Sequence, residues 1–190
     1  MWYNRLFMVE REVKLRFESP EVARAAVLAA GATPLRCRRL QDDALLDNED
    51  EDLRRRGCAL RIRSESGKSL VTLKGPIQPG TMKVREEHET VIGDGEVMQR
   101  VFEEMGFHVW FRYQKYREEY SAEEVTIAVD ETPVGTFIEL EGGEHGILAM
   151  TAALGRSPAD FILDSYRSLF LQHREALGIE GHDMVFAEAE

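Results

Sequence analysis

An alternation of charged and apolar residues near the start of the chain constrains its fold more than any other feature. In the segment 9–17 (VEREVKLRF), Glu10, Glu12, Lys14 and Arg16 occupy every second position. Successive side chains of a β-strand point to opposite faces of the sheet, so these four residues share one face. A single charged strand face is typical of a half-exposed sheet, and only its repetition would indicate a functional surface.

The alternation does recur, in several later segments whose charged residues lie opposite apolar ones. These residues are Arg61 and Arg63, Lys74, Arg85 with Glu87 and Glu89, Lys115 and Arg117, Glu139 and Glu141, and Asp130 at the end of the run 125–130 (VTIAVD). If such a sheet closes on itself, its apolar side can pack helices while its charged side lines a lumen. The repetition therefore favours a closed sheet with a charged interior.

Glycine and proline turns divide the chain into alternating elements. The patterns predict strands at 5–18, 35–47, 58–65, 69–75, 81–92, 109–120, 123–130 and 134–142, and helices at 20–30, 95–105, 145–154, 158–163 and 165–177. Eight strands with few intervening helices indicate an α+β fold, an eight-stranded antiparallel β-barrel with flanking helices. We expect one domain over 1–179, followed by an acidic and mobile C-terminal tail at 180–190.

Bulk composition narrows the class of protein. The formal net charge of −11 argues against a nucleic-acid-binding or anionic-membrane-binding protein, although it allows a local basic site. Cys37 and Cys58 have no CxxC spacing, which argues against a disulfide framework or a structural zinc site. No apolar run reaches the length of a signal peptide or membrane span, so we expect a cytoplasmic protein.

Three weaker patterns have simpler interpretations. The run 66–69 (SGKS) resembles the end of a P-loop, but the glycine that a P-loop requires five residues earlier is Ile62, so a hairpin turn is favoured. The five histidines lack paired metal-ligand spacing. The aromatic residues between Trp110 and Tyr120 could stack a ring of a ligand, but on a strand they more often pack against neighbours.

Taken together, the charged motifs resemble the CYTH family, the triphosphate tunnel metalloenzymes. The resemblance covers about residues 5–178 and begins with an ExExK signature at Glu10, Glu12 and Lys14. It continues through Asp47, the 60–63 run (LRIR), the 74–76 run (KGP), the 85–89 run (REEHE), the 115–117 run (KYR), Asp130, the 135–141 run (GTFIELE) and Ser165-Tyr166. It implies a β-tunnel open at both ends that binds a triphosphate-containing small molecule and divalent cations, and it suggests a homodimer.

The charged residues suit that chemistry. Carboxylates select hard cations, so Mg²⁺ or Mn²⁺ would be held by Glu10, Glu12, Asp130, Glu139 and Glu141. Lysine and arginine would bind the phosphates, and the candidates are Lys14, Arg61, Arg63, Lys74, Arg85, Lys115 and Arg117.

Four residues are candidates for catalytic roles. A carboxylate of the pair Glu87 and Glu89 would hold metal-bound water, and Lys14 or Lys74 would orient the attacking group. A metal-dependent triphosphate hydrolase is the leading hypothesis, because both members of each acidic pair are present. A class IV-like adenylyl cyclase, which converts ATP to cyclic AMP and pyrophosphate, is the alternative. A non-catalytic polyphosphate binder is disfavoured, because phosphate binding gains nothing from so many carboxylates without metal.

Overall fold

The computed structural model of the chain describes residues 8–187. All eight predicted strands are present, although residues 5–7 of the first predicted strand lie outside the described residues. The strands are β1 (Met8–Phe17), β2 (Thr33–Asn48), β3 (Ala59–Glu65), β4 (Lys68–Lys74), β5 (Lys83–Ile92), β6 (Phe107–Ala122), β7 (Val125–Thr132) and β8 (Gly135–Gly142).

The strands form one closed antiparallel barrel, in the order β1-β5-β4-β3-β2-β6-β7-β8. Closure comes from the pairing of β8 with β1, in which Lys14 lies opposite Glu139. The predicted eight-stranded antiparallel barrel is thereby confirmed. Because β1 also pairs with β5, where Glu10 lies opposite Arg85, the first strand contributes to both sides of the charged interior.

The run 66–69 forms a hairpin turn, as its sequence favours. Glu65 pairs with Lys68, which leaves Ser66 and Gly67 as a two-residue loop between β3 and β4. Both loop residues have positive φ, 48° at Ser66 and 73° at Gly67, as a tight hairpin turn of right-handed twist requires. This backbone continues one strand into the next and does not form a phosphate-binding loop.

In the described part of the chain, five α-helices flank the barrel: α1 (Pro20–Ala29), α2 (Asp52–Arg55), α3 (Gly95–Glu104), α4 (Glu144–Ala153) and α5 (Tyr166–His173). Side-chain oxygens of Ser19, Asp94 and Ser165 accept backbone N–H groups at the starts of α1, α3 and α5, which stabilises those ends. No helix among residues 8–187 is long and apolar enough to cross a membrane.

The predicted helix at 158–163 is wrong beyond a single 3₁₀ turn at Pro158–Asp160. Ile162 instead lies beside β1, where its N–H donates to the carbonyl of Lys14 at 2.9 Å and its carbonyl accepts from the Lys14 N–H at 3.2 Å. The segment therefore satisfies backbone groups of β1 beyond the stretch that pairs with β5. The short helix α2 was not predicted, because its four residues show no apolar periodicity.

Apolar side chains on the outer face of the barrel form the main core. Leu15, Ile127, Ile138 and Leu140 are completely buried there together with Ile147 of α4. Their strand positions alternate with the charged residues of the same strands, so the period of two directs apolar atoms outward to the helices. The charged side chains are consequently left facing the interior.

Helix α5 packs against the inner face of the barrel at one end. Its Tyr166 and Phe170 are buried against Phe111, Tyr113 and Phe137. These three strand residues have the same parity as Lys115 and Glu139, so they point toward the interior. Aromatic packing thus replaces charge at this end and narrows the space that a ligand can occupy.

The C-terminal segment is more ordered than its acidic composition suggests. Met184 is completely buried, and its N–H donates to the carbonyl of Arg112 at 3.0 Å while its carbonyl accepts from Gln114 at 2.8 Å. The ring of Phe186 lies 5.1 Å from that of Tyr116. The expected mobile tail is therefore wrong for residues 183–186, because free backbone groups on β6 hold them; residues 188–190 lie outside the described residues.

Candidate active site

The charged strand faces converge on one cavity of about 790 Å³ inside the barrel. Thirteen of the residues singled out from the sequence line it: Glu10, Glu12, Lys14, Arg61, Arg63, Lys74, Arg85, Glu87, Glu89, Lys115, Arg117, Glu139 and Glu141. Among residues 8–187, twelve lysines and arginines and eight glutamates line the cavity. The excess of positive charge complements a polyanion, while the carboxylates provide oxygen donors for cations.

Glu10 and Glu87 meet at Lys74. The Lys74 Nζ lies 3.0 Å from an oxygen of Glu10 and 2.6 Å from an oxygen of Glu87. Burial raises the pKa of Glu10, and the nearby charges of Glu12 and Glu87 add to this effect against the opposing charge of Lys74. Arg85 lies 3.6 Å from Glu10 and Arg61 lies 3.9 Å from Glu87, so each carboxylate has a second cation beside the shared lysine.

Glu12 occupies the centre of a second cluster. Its carboxylate is 3.3 Å from Lys14 Nζ and 2.5 Å from Lys83 Nζ, and Lys14 also lies 3.3 Å from Glu139. Burial opposes the charge on Lys14, but Glu12 and Glu139 outweigh it and raise the Lys14 pKa. Burial and the charge of Lys14 lower the pKa of Lys83 to about 8. Sequence reasoning missed Lys83, although its strand parity matches that of Arg85.

Asp130 lies behind the cavity wall and does not line it. Its carboxylate is fully buried and accepts hydrogen bonds from Lys115 at 2.8 Å, from Arg117 Nε at 2.7 Å and from the Tyr166 hydroxyl at 2.6 Å. Arg117 also bonds to Glu139. These donors occupy both oxygens of Asp130, so the geometry favours a role in positioning Lys115 and Arg117 over the predicted role as a metal ligand.

Asp43 plays the corresponding part for Arg61 and Arg63, and no distinct sequence pattern predicted it. Its buried carboxylate accepts from Arg63 Nε at 2.7 Å and Nη2 at 3.1 Å, and Arg61 Nε lies 3.5 Å away. Arg61 Nη2 also donates to the hydroxyl of Thr72 at 3.0 Å and to Glu89 at 3.2 Å. Both guanidinium groups are thus held in fixed orientations toward the cavity.

Asp47 is one of the residues that carry the family resemblance, and its role in the structure is to hold a neighbouring helix. One of its oxygens accepts from the Leu53 N–H, and the other accepts from the N–H and the Nε of Arg54. The carboxylate therefore fixes the start of α2 and the side chain of Arg54.

Glu141 is the carboxylate of the cavity with the least compensation. It lies opposite Glu12 in the pairing of β8 with β1, and no hydrogen bond or ion pair to it is found among residues 8–187. Burial, together with the charges of Glu10 and Glu12, raises its pKa to about 7. The carboxylate oxygens of Glu10, Glu12 and Glu141 are of the kind that a hard divalent cation prefers.

The carboxylates are not yet arranged around a common cation position. Within the described part of the chain, no group of three or more His, Cys, Asp or Glu side chains has the geometry to hold a metal ion. Glu10 and Glu12 instead hold Lys74 and Lys83. Residues that would ligate a metal therefore need to release these lysines, which would then be free to bind phosphate oxygens.

At one end of the cavity, arginine side chains pair with glutamates. Beyond Glu65, at the end of β3, Arg36 and Arg39 pair with Glu65 at 2.8 and 2.9 Å, and Arg39 also pairs with Glu119 at 2.9 Å. Burial alone would raise the pKa of Glu65, but the bond from Gln41 and the charges of Arg39 and Arg36 lower it to about 2. Arginine charge at this end is therefore neutralised within the protein.

Comparison with known proteins supports the architecture and the motifs. The chain matches the family model described as the CYTH domain over residues 8–153. It is 33% identical over 135 residues to a protein of Methanocaldococcus jannaschii provisionally named an adenylate cyclase, with 70% of this chain and 77% of that protein covered.

Solved structures agree with this match. The PH1819 protein from Pyrococcus horikoshii superposes with a TM-score of 0.73 at 26% identity, covering 87% of this chain and 99% of that one. HpAC1 from Hippeastrum, a provisional adenylyl cyclase in which triphosphatase activity is dominant, superposes with a TM-score of 0.63 at 20% identity, covering 86% and 95% of the two chains. At that identity, the second likeness concerns the fold.

Proposed function

The chain belongs to the CYTH domain family, and from this premise we propose that it is a metal-dependent hydrolase of triphosphate-containing small molecules. Members of the family are enzymes of the triphosphatase and cyclase type and generally depend on divalent metals. The observation that carries the proposal is the cavity itself, which is lined within residues 8–187 by twelve cationic side chains and by carboxylates that include Glu10, Glu12 and Glu141. A phosphate binder without a metal would need the cations but not these carboxylates.

In the proposed reaction the cationic side chains bind and orient the triphosphate. Arg61 and Arg63, held by Asp43, and Arg117, held by Asp130, present guanidinium groups whose planar donors match phosphate oxygens. Lys14 lies between Glu12 and Glu139 and carries a positive charge at any physiological pH. Phosphoryl transfer depends mainly on such positioning and charge stabilisation.

The carboxylates complete the proposal. Mg²⁺ or Mn²⁺ held by Glu10, Glu12, Glu139 and Glu141 would neutralise charge that develops on the phosphates and activate water. Glu87 lies 2.6 Å from Lys74, and Glu89 accepts from the Thr72 hydroxyl at 2.8 Å. We assign to this pair the orientation of the attacking water, and to Lys14 and Lys74 the contacts that align the reacting phosphate.

A hydrolase must bind the phosphates but needs to recognise little of any organic group. A cyclase must also hold the ribose so that its attacking hydroxyl lies in line with the α-phosphorus. The interior is lined mainly by charged groups, and the aromatic residues Phe111 and Tyr113 are occupied in packing against Phe170 and Tyr166 of α5. This balance favours hydrolysis. The adenylyl cyclase alternative is supported by the provisional name of the Methanocaldococcus relative.

The deciding experiment incubates the protein with tripolyphosphate, ATP or thiamine triphosphate, each with Mg²⁺ or Mn²⁺, and identifies every product. We expect tripolyphosphate to yield orthophosphate and pyrophosphate with a higher kcat/KM than ATP, and at most a trace of cyclic AMP. Lys14→Met should abolish this activity, while Lys68→Met, at an exposed position in the β3–β4 hairpin, should not change it. Conversion of ATP to cyclic AMP and pyrophosphate with tripolyphosphate left intact would establish the cyclase instead.

Absence of phosphate or pyrophosphate release from the whole panel would support a non-catalytic binder. A cytoplasmic location, a homodimer and the lack of nucleic-acid binding remain predictions from the sequence. Analytical ultracentrifugation would test the dimer, since a single species of the 21.7 kDa monomer mass would contradict it.

A further inference from the structure

One end of the cavity carries two arginines that converge on a tryptophan. The guanidinium carbon of Arg54 lies 4.3 Å from the centre of the Trp110 ring, and that of Arg167 lies 4.8 Å from it. All three residues line the cavity and are partly exposed to it. Arg54 comes from α2, Trp110 from β6 and Arg167 from α5, so two separate elements place positive charge beside an aromatic ring of a third.

The position of Trp110 results from an irregularity in the sheet. The pairing of β2 with β6 passes from Leu45 opposite Phe111 directly to Leu46 opposite Val109, which leaves Trp110 as an unpaired extra residue. A bulge of this kind turns a side chain away from its regular direction. Trp110 and its neighbour Phe111 therefore both face the cavity, and the indole supplies a surface on which the two guanidinium groups lie.

The two arginines at this end differ in their ion-pair partners. Arg54 pairs with Asp47 at 3.1 Å and with Glu51 at 3.1 Å. Arg167 forms no ion pair with any carboxylate among residues 8–187, and partial burial together with the charge of Arg54 lowers its pKa. Within the described part of the chain, Arg167 therefore has a guanidinium group without a carboxylate in direct contact, and an anion bound beside it would offset its repulsion with Arg54.

The opposite end of the cavity provides the contrast. There Arg36 and Arg39 are neutralised by Glu65 and Glu119, at distances of 2.8 to 3.6 Å. An anion that extends out of the cavity therefore gains more at the Arg54–Trp110–Arg167 end. Along β3 the residues that line the cavity run from Arg63 through Arg61 to Ala59 and on to Gly57, so this end continues the row of phosphate-binding candidates.

We propose that Arg54, Trp110 and Arg167 form a subsite for a negatively charged group that continues from the triphosphate, such as the fourth phosphate of a linear tetraphosphate. The proposal rests on the proposed function only in that the first three phosphates occupy the charged cavity. The planar guanidinium of Arg167 donates to the added phosphate, and the Trp110 ring holds that guanidinium in place. The subsite gives the protein a preference for longer anionic chains over tripolyphosphate.

The test is calorimetric titration with inorganic tripolyphosphate and tetraphosphate, without divalent cation, so that binding is measured apart from turnover. Wild-type protein should bind tetraphosphate more tightly than tripolyphosphate. Arg167→Gln should weaken tetraphosphate binding by about tenfold, as expected for loss of a charge-assisted contact, and tripolyphosphate binding by less than twofold. Arg100→Gln, at an exposed position of α3 outside the cavity, should change neither.

Arg167→Lys keeps the charge but lacks the planar guanidinium, so its tetraphosphate affinity should lie between those of the wild type and Arg167→Gln. Wild-type protein without a preference for tetraphosphate overturns the proposal, as does equal weakening of both ligands by Arg167→Gln. If Arg167→Gln loses affinity for ATP but keeps its affinity for tetraphosphate, the proposal is also overturned, because Arg54, Trp110 and Arg167 would then recognise a planar base. Failure of the proposed hydrolysis is a separate result, seen as binding without phosphate release when Mg²⁺ or Mn²⁺ is added.

Discussion

Asp130 is the residue whose replacement best separates a positioning role from metal binding. We consider Asp130→Asn, which keeps the shape of the side chain but removes its charge and half of its acceptor capacity. In the wild-type protein the carboxylate holds Lys115 at 2.8 Å, Arg117 at 2.7 Å and Tyr166 at 2.6 Å, with no exposure to solvent. The substitution therefore leaves two buried cations with a single remaining carboxylate, Glu139, in contact with both.

Removal of one partner from a buried ion pair costs about 3–5 kcal/mol of unfolding free energy. Because Glu139 partly compensates, we expect the lower end, about 3 kcal/mol. For a chain of this length 1 kcal/mol corresponds to about 2–4 °C in Tm, so the variant should melt about 10 °C below the wild type. Thermal and urea unfolding at pH 7 measure this loss, and Asp50→Asn, at an exposed position, is the matched control.

The pH dependence of the loss provides a further check. Burial alone would raise the pKa of Asp130, but the charges of Arg117 and Lys115 outweigh it and lower the pKa below 3.8. A carboxylate with a lowered folded-state pKa stabilises the protein above its unfolded pKa, and this contribution disappears as the pH falls through the folded value. The stability difference between wild type and Asp130→Asn should therefore be full at pH 7 and shrink progressively in acid below 3.8.

A variant that melts within about 2 °C of the wild type would refute this reasoning, because the ion pairs would then contribute little. Manganese titration of the folded variant decides the ligand question. Affinity close to that of the wild type would exclude Asp130 as a ligand. A large loss of Mn²⁺ affinity with unchanged stability would restore the role that the sequence suggested.

Three further variants test other parts of the site. Glu10→Gln and Glu12→Gln should each remove most phosphate release and weaken Mn²⁺ binding while thermal melting shows an intact fold; wild-type turnover in excess metal would mean that neither is a ligand. The wild type should lose unfolding free energy as the pH falls from 4.5 to about 2, because the carboxylate of Glu65 becomes protonated there, and Glu65→Gln should show a smaller loss. Urea unfolding curves of the variant with the wild-type pH dependence would contradict this. Tyr166→Phe removes the 2.6 Å bond to Asp130 and should cost about 1–2 kcal/mol, which a Tm equal to that of the wild type would disprove.

The sequence predicted the composition of the cavity because strand parity is a local property. Glu10, Glu12 and Lys14 share a face whatever the strand pairs with, and the same holds for Glu139 and Glu141. Lys83 was within reach of this reasoning, since it precedes Arg85 by two positions on β5. Asp43 was harder to distinguish, because Asp42 precedes it directly. Adjacent residues of a strand point to opposite faces, so one of two neighbouring acids faces the interior in either orientation of the strand.

Features that depend on departures from regular geometry were beyond the sequence pattern. The bulge at Trp110 changes which side chains of β6 face the cavity, and no residue in the run 107–113 is a glycine that would mark it. The docking of residues 183–186 depends on free backbone groups of β6, which exist only because β7 pairs with the strand no earlier than Tyr116. The acidic composition of residues 180–190 does not indicate that this part of β6 has unpaired backbone groups.

The ion-pair partners within the cavity follow from barrel closure and register, which join residues far apart in the chain. Lys74 meets Glu10 across 64 positions and Lys83 meets Glu12 across 71. These pairs have a consequence for ligand binding, because each candidate metal ligand on β1 is held by a lysine that is itself a suitable phosphate donor. A cation that takes the carboxylates releases the lysines, and a triphosphate that takes the lysines releases the carboxylates. Each ligand therefore lowers the cost of binding the other, and we expect the two to bind cooperatively.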